Sequence, residues 1–563
     1  MSRPHRREVL VCGGAGCTAC DAVGTAERFE RAVADAGLSD TVGIARVGCM
    51  GLCSAGPLVL VSPDGTCYCG VTAEAVDRIV AEHLVADRPV ESCELTWTDG
   101  NGHQSRGREV PFFARQHRVV LRNCGVIDPR AIEEYIALDG YLALERAVGG
   151  RDGQSIVSVL QESGLRGRDG GAAPVGWRWA AVAAAPGASK YVVCRADPGD
   201  SGGMADATVL AGDPHAVVEG MVLAGRAVGA KQGFIAVRAG DALVLERLAD
   251  ALAEARRFGV LGNGILGSDL CFEIEIRAGP GAAVCGGDSA LLRALEGARP
   301  VPAPPGTGRD GLFGRPTVIE NAETLAAVPV IVRKGAPWFA GIGTPPARGT
   351  RVLVLTGAIR NAGVVEVPCG IPLRTVVEEI GGGASAARAL KAVLVGGPSG
   401  GCVSAAAVDI PVDHGPLGEW GARVDPGTVT VLDEGACIVN VVRAGLAFVV
   451  AESCGKCPPC RVGTRVMLNL LDRIAQGDAS VTELETLEIL GEHIRRTSLC
   501  RLGRTAPEPV LSTLRHFRAE YLAHLDEHGC PLHQCAAARG GPAAGSFRIG
   551  RAGANAAGPP AGE

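Results

Sequence analysis

The stretch Glu452-Ser453-Cys454-Gly455-Lys456-Cys457-Pro458-Pro459-Cys460 places three thiols within seven residues. The spacing is C-x2-C-x2-C, and Cys500 follows forty residues after Cys460, between Leu499 and Arg501. Three thiolates on one tight turn can hold three corners of a [4Fe–4S] cubane, and the fourth corner must be met from elsewhere in the fold. Gly455 and the Pro458-Pro459 pair are read as keeping this turn out of a helix, so that the thiols converge. Lys456 and Arg461 would offset the negative charge of the cluster. Four buried cysteines without metal is the bland reading, and three thiols in seven residues argue against it. Zinc is the rival, although its usual pattern is two separated pairs.

Outward from this turn the pattern changes in blocks. Residues 436–537 read as a helical bundle. Apolar residues recur at three- and four-residue steps over Met467–Ile474, Val481–Ile494 and Pro509–Leu525. Residues 346–435 turn to short strands and glycine turns, with one helix near Leu373–Ile380, which suggests a β-grasp-like module. Residues 111–345 alternate strands, among them Tyr191–Cys194 and Gly233–Val237, with helices near 130–148, 215–228 and 243–258. That alternation predicts a parallel, Rossmann-like sheet. Residues 300–311 form a Pro-rich loop within it. Residues 94–110 are polar with little periodicity and read as a linker, and 538–563 are Gly, Ala and Pro-rich and read as a disordered tail.

Residues 1–93 carry a second cysteine set. Strands are expected over Glu8–Val11, Thr41–Val47 and Pro57–Val61, and helices over Ala26–Ala36 and Ala75–Leu84. Cys12 and Cys17 form C-x4-C after the first strand, and Cys49 and Cys53 form C-x3-C after the second. Two pairs on neighbouring loops suit a [2Fe–2S] cluster with two thiolates per iron. Glycines in both loops let backbone amides approach the sulfides. A four-thiolate zinc site is the alternative, and Cys20 is a spare. A third segment, Cys530-Pro-Leu-His533-Gln-Cys535, reads as a frayed helix end with incidental thiols. Part of a zinc site, completed by His528 or another cysteine, is its alternative. The scattered cysteines, Cys437 among them, read for the most part as small core residues.

Composition bounds the rest. The chain has 563 residues, 21 cysteines and a net charge of −6. That length implies several domains, and the mild acidity predicts neither nucleic acid nor an anionic membrane as the main partner. No apolar run of 18 residues exists, and the basic start at Met1–Arg7 lacks the apolar region of a signal peptide. A cytoplasmic location is expected, where cysteines are metal ligands or core residues and not disulfides.

Taken together, the motifs resemble the NADH-binding flavoprotein subunit of respiratory complex I. The variants in NAD-linked hydrogenases and formate dehydrogenases, which add a thioredoxin-like [2Fe–2S] domain in front, look closest. The stretches carrying the resemblance are Val119-Val-Leu-Arg-Asn-Cys-Gly125, Gly164-Leu-Arg-Gly-Arg168, Gly396-Gly-Pro-Ser-Gly-Gly-Cys402, Glu452–Cys457, Ser498-Leu-Cys500 and Thr505-Ala-Pro507. The resemblance implies oxidation of NADH at bound FMN, single-electron transfer to the clusters, and other iron–sulfur or catalytic subunits as partners. It places cofactor contacts at Gly167, Arg178, Asp197, Gly286, Asp288, Asn321 and Thr324.

The sequence also departs from the family pattern. Asp169 and Ala172 stand where glycines are expected, Arg178 where lysine is, and Arg195 and Glu320 where asparagines are. Ala283 and Gly287 replace a tyrosine and a glutamate. Ala173, Ala181, Ala303 and Gly306 fall where nucleotide contacts are expected. NADH oxidoreductase chemistry is therefore the first expectation. A non-catalytic electron-relay or scaffold subunit that has lost FMN and NADH is the second, and a zinc-stabilised interaction protein the third.

Overall fold

The computed structural model describes residues 6–98, 104–150, 153–168, 173–187, 189–196, 203–304, 311–385, 388–425 and 427–535. Asp169, Ala172, Asp197, Gly306 and the expected tail lie outside the described residues.

The N-terminal unit is a four-stranded sheet of thioredoxin-like type. Strand Arg7–Cys12 runs parallel to Val42–Val47 and antiparallel to Val59–Ser62, which pairs with Thr66–Tyr68. The last of these strands is too short to show in the apolar pattern. Cys12 sits opposite Val47 in register, so the loops that follow both strands leave the sheet side by side. Helix Ala22–Asp35 covers the sheet through Ala22, Ala26, Phe29 and Val33, the i, i+4, i+7 and i+11 positions of one face.

The stretch read as a linker contains an antiparallel hairpin, Thr96–Thr98 against Gln104–Arg106. Three residues per strand give too little alternation to register in a sequence. Trp97 holds it down, with the Arg360 guanidinium 5.3 Å from its ring centre.

The central sheet is wholly parallel, in the order 317–321, 191–196, 232–238, 273–279. The chain winds outward from Tyr191–Ala196 and then returns to the far side of that strand. The order therefore reverses between Tyr191–Ala196 and Thr317–Asn321, and a crevice opens beyond the carboxyl ends of strands at such a point. Helices Pro214–Val228 and Ala322–Lys334 are almost entirely buried against the sheet and each other. Pro214 begins the first of them, where its missing N–H costs nothing, and Asp213 caps it.

The β-grasp-like sheet has the order 363–368, 350–357, 428–433, 390–395, 401–404. It shares one core with the N-terminal unit: Val9, Phe29 and Tyr68 belong to the same buried cluster as Leu353, Val365 and Val431. The C-terminal bundle packs Met467, Leu471, Ile474, Leu484, Leu487 and Tyr521. The helix expected over Pro509–Leu525 is two helices, Glu508–His516 and Arg518–Asp526, broken where Phe517 leaves helical geometry (φ −131°). Among the described residues, no helix is long and apolar enough to cross a membrane.

Candidate redox centres

The N-terminal thiols meet at the edge where the two loops emerge. Cys12, Cys17 and Cys49 are buried, and Cys53 is half-buried beside them. The Cys12 thiol contacts both Cys17 and Cys49, and Cys49 contacts Cys53. These contacts, that with Cys17 first, hold Cys12 well below the usual thiol range, and contact with Cys12 pushes Cys49 up. The backbone N–H of Met50 donates to the Cys12 sulfur at 3.4 Å. Cys20 is exposed and stands outside the group.

The glycines of these loops have a steric reason. A Cβ on Gly14 would lie 2.7 Å from the Cys49 sulfur, and one on Gly56 2.9 Å from the Cys17 sulfur. Gly14→Ala is expected to expel the N-terminal cluster. Iron should fall by about two atoms per chain while about four remain, as read by iron and sulfide analysis of anaerobically purified protein.

The C-terminal thiols gather at the far end of helix Ile438–Ala451. Gly455 takes φ +75°, a left-handed turn that folds Cys454 back towards Cys457. The proline pair does not keep this stretch out of a helix. Pro458 has helical geometry, and Pro459–Gly463 forms the wide first turn that leads into helix Thr464–Gln476. Proline is tolerated there because first-turn amides have no intrahelical acceptor. Cys460 therefore points off a rigid turn and is buried, while Cys454, Cys457 and Cys500 are half-buried.

Cys500 precedes the short helix Arg501–Thr505. A Cβ on Gly503 would lie 3.1 Å from the Cβ of Cys460, so that glycine lets the short helix approach. Burial pushes the Cys460 thiol up to about 11, opposed by the Ser453 hydroxyl 3.3 Å away and reinforced by Cys457, Cys500 and Cys454. Lys456 donates to the Pro302 carbonyl, and Arg299 donates to that of Cys454. The thiol turn is thereby tied to the central domain.

A crevice lies between the C-terminal thiols and the parallel sheet. It is lined by Arg195 and Asn321 at the strand ends, by Gly286, and by Cys500 and Arg501 across from them. Asn321 accepts from the buried Thr324 hydroxyl at 2.7 Å. Gly167 and Arg178 sit together nearby. A Cβ on Gly167 would lie 2.4 Å from the Arg178 guanidinium, which pairs with the buried Glu320.

Three departures from the expected pattern are thus held in two ion pairs: Arg178 with Glu320, and Arg195 with Asp288 at 2.7 Å. Sequence reasoning can name these positions but cannot see that they touch. It also misses Asp206, which accepts from the Asn321 amide at 3.3 Å and from the Glu323 N–H at 3.2 Å. Its one signal is an acidic residue inside an otherwise apolar helix.

Burial pushes the Asp206 carboxyl from its ordinary 3.8 up to about 7, against the amides of Glu323 and Ala322. The folded value lies above the unfolded one, so the folded protein keeps a proton that the unfolded chain releases. Stability from this group is complete below about pH 4 and is lost as pH rises through about 7. Asp206→Asn is expected to flatten that decline, measured as urea midpoints between pH 5.5 and 7.5.

A third group of side chains assembles where the sequence reads first as incidental thiols and, as the alternative, as part of a zinc site. Cys437, His524, Cys530 and Cys535 place their ligand atoms within 4.8 Å of one another. His528 and His533 do not belong to it. Cys437 is no incidental core residue, since its sulfur lies 3.4 Å from the His524 Nε2 and 3.6 Å from the Cys535 sulfur.

Comparison with known proteins places these features together. Residues 160–330 match the Nuo51 FMN-binding domain, and residues 440–524 match the NADH-ubiquinone oxidoreductase-F iron–sulfur binding region. The chain is 44% identical over 425 residues to the HndC subunit of the NADP-reducing hydrogenase of Solidesulfovibrio fructosivorans, covering 75% of this chain and 86% of that protein. It is 39% identical over 417 residues to an F-type subunit of the NADH-quinone oxidoreductase of Rhizobium meliloti, covering 74% and 99%. Among solved structures, a chain of the NAD+-reducing [NiFe]-hydrogenase in the H2-reduced state superposes with a TM-score of 0.63 at 27% identity, covering 94% of this chain and 86% of the other.

Proposed function

Because the chain belongs to the family of F-type flavoprotein subunits of NADH-quinone oxidoreductases, we infer that it takes electrons from NADH through FMN and delivers them to iron–sulfur clusters within a multisubunit redox complex. The observation that carries this reading is the crevice itself. One cavity is lined both by strand-end residues at the topological switch point and by Cys500 of the C-terminal thiol group. A cluster held there by Cys500 would give an electron entering at one wall its acceptor in the other.

The residues fit a phosphorylated flavin. Arg168, Arg195, Arg351, Arg423 and Arg501 line the crevice against Asp206, Glu323 and Asp425, leaving an excess of positive charge for phosphate. An added Cβ at Gly286 would meet nothing within 4 Å, so the backbone there faces open space that a ring can enter. FMN, when bound, supplies the exchange between hydride transfer and single-electron transfer that side chains lack.

The chain's own part is to bind and position. Arg168 is held at 3.0 Å by Glu323, which also accepts from the Val352 N–H. Arg195 is held by Asp288 and the Gly286 carbonyl. In this reading Gly286, Asp288, Asn321 and Thr324 shape the flavin and nucleotide side, and Gly167 and Arg178 buttress it through Glu320. Cys454, Cys457, Cys460 and Cys500 hold the [4Fe–4S] cluster, and Cys12, Cys17, Cys49 and Cys53 the [2Fe–2S] cluster.

The relay alternative rests on the altered contacts. Their rearrangement into complementary ion pairs around an open crevice favours a reshaped site over a lost one. Anaerobic purification with iron, sulfide and flavin analysis tests this directly. About six irons per chain with stoichiometric FMN is the expected result. The same iron content without flavin, even after incubation with FMN, would make the chain a relay.

A further inference from the structure

We propose that Cys437, His524, Cys530 and Cys535 form a structural zinc site, separate from both iron–sulfur centres. The four residues come from three places in the chain. Cys437 caps helix Ile438–Ala451, His524 lies on helix Arg518–Asp526, and Cys530 and Cys535 lie in the segment that follows. Cys437, His524 and Cys535 are almost fully buried, at 1%, 1% and 3% exposure.

The spacing suits one ion. A tetrahedron with Zn–S near 2.3 Å and Zn–N near 2.0–2.1 Å has S···S edges of about 3.8 Å and S···N edges of about 3.6 Å. The Cys437 and Cys535 sulfurs are 3.6 Å apart, and His524 Nε2 is 3.4 and 3.6 Å from them. A cubane binds each cysteine to a different iron and needs its ligands spread around a larger box. Three thiols and one imidazole within 4.8 Å leave room for a single metal. Three Cys and one His with no open position is the donor set of a structural zinc site.

The surroundings are built to hold these ligands. His524 Nδ1–H donates to the Glu520 carbonyl at 2.7 Å, which leaves the Nε2 lone pair facing the sulfurs. The Glu520 carboxylate accepts from the Ile438 N–H at 3.2 Å and meets Lys391 at 2.7 Å. Gln534 accepts from the Cys437 N–H at 3.0 Å and donates to the Gly435 carbonyl. The Asn440 N–H donates to the Cys437 sulfur at 3.4 Å, at the positive end of the helix, where a thiolate is stabilised.

Such an ion would clamp residues 530–535 to the start of the helix whose other end leads into Cys454. Zinc has no redox chemistry, so the site would brace the cluster domain without offering a stop for electrons.

The test begins with the full-length wild-type protein, purified anaerobically without chelator. About one zinc per chain is expected, with an X-ray absorption edge fitted by three sulfurs near 2.3 Å and one nitrogen near 2.0–2.1 Å. Cys535→Ser should drop zinc below about a tenth of an atom per chain, since a lost ligand removes the metal, while both cluster signals stay. Absence of zinc, an oxygen- and nitrogen-only shell, or a seventh iron in its place would overturn the proposal. The absorption measurement on wild type stands even if the variant misfolds.

Discussion

Cys500→Ser is expected to leave a folded protein with about two irons per chain in place of six. Cys500 is the N-cap of helix Arg501–Thr505, and the amides of Leu502 and Gly503 point at its sulfur. Serine is among the best N-cap residues. The substitution therefore keeps the turn and removes only the thiolate. Bound FMN, held by the crevice and not by this sulfur, should stay near one per chain. Reduction of the downstream acceptor should fall to background, because the first one-electron acceptor beyond the crevice is gone. A soluble oxidant that takes electrons at the flavin should keep most of its rate. That split between two activities distinguishes a broken relay from a damaged nucleotide site.

Glu366→Ala is expected to be the most destabilising single change among the residues described. Glu366 is fully buried in strand Gly363–Pro368. Its carboxylate accepts from the N–H groups of Val119, Val120 and Leu121 at 2.8–3.0 Å and from the Thr350 hydroxyl. Alanine would orphan all four donors. At about 1–3 kcal/mol for each unsatisfied buried group, the loss reaches about 4 kcal/mol or more, a large part of the ~5–15 kcal/mol that holds a domain folded.

The consequence reaches the N-terminal centre. Arg118, next to this stretch, donates to the Met50 carbonyl at 2.8 Å, and the Gly48 N–H donates to the Ile127 carbonyl at 3.1 Å. The loop bearing Cys49 and Cys53 is thus held by the segment that Glu366 anchors. Thermal unfolding followed by circular dichroism and by cluster absorbance should show a lowered transition, with bleaching of the [2Fe–2S] chromophore preceding that of the cubane. Glu366→Gln, which keeps one carbonyl oxygen for the amides, should recover part of the loss.

Cys500 and Glu366 show what a sequence can and cannot disclose. The C-x2-C-x2-C run is legible because three thiols in seven residues have few structural uses. The two N-terminal pairs are legible because each follows a short apolar strand. The parallel sheet shows through its alternation of strands such as Tyr191–Ala196 with long amphipathic helices. Glu366 gives no signal, because its amide partners lie 245–247 residues away and a lone glutamate in a strand looks like surface. A separation of 87 and 98 residues likewise hides Cys437 from His524 and Cys535, so Cys437 reads as a core residue. The proline pair misleads because proline breaks a helix interior but is welcome in its first turn. The pairing of Arg195 with Asp288 depends on fold alone: Asp288 follows the outermost strand of the sheet, and no local pattern connects it to residue 195.

Freeze-quenched electron paramagnetic resonance measures most directly whether NADH reduces both clusters through the crevice. Anaerobic wild-type protein mixed with a few equivalents of NADH should show signals of reduced [4Fe–4S] and [2Fe–2S] clusters within the turnover time. Cys500→Ser should lack the first. Clusters that stay silent with NADH in a protein loaded with FMN, yet reduce fully with dithionite, would contradict that path.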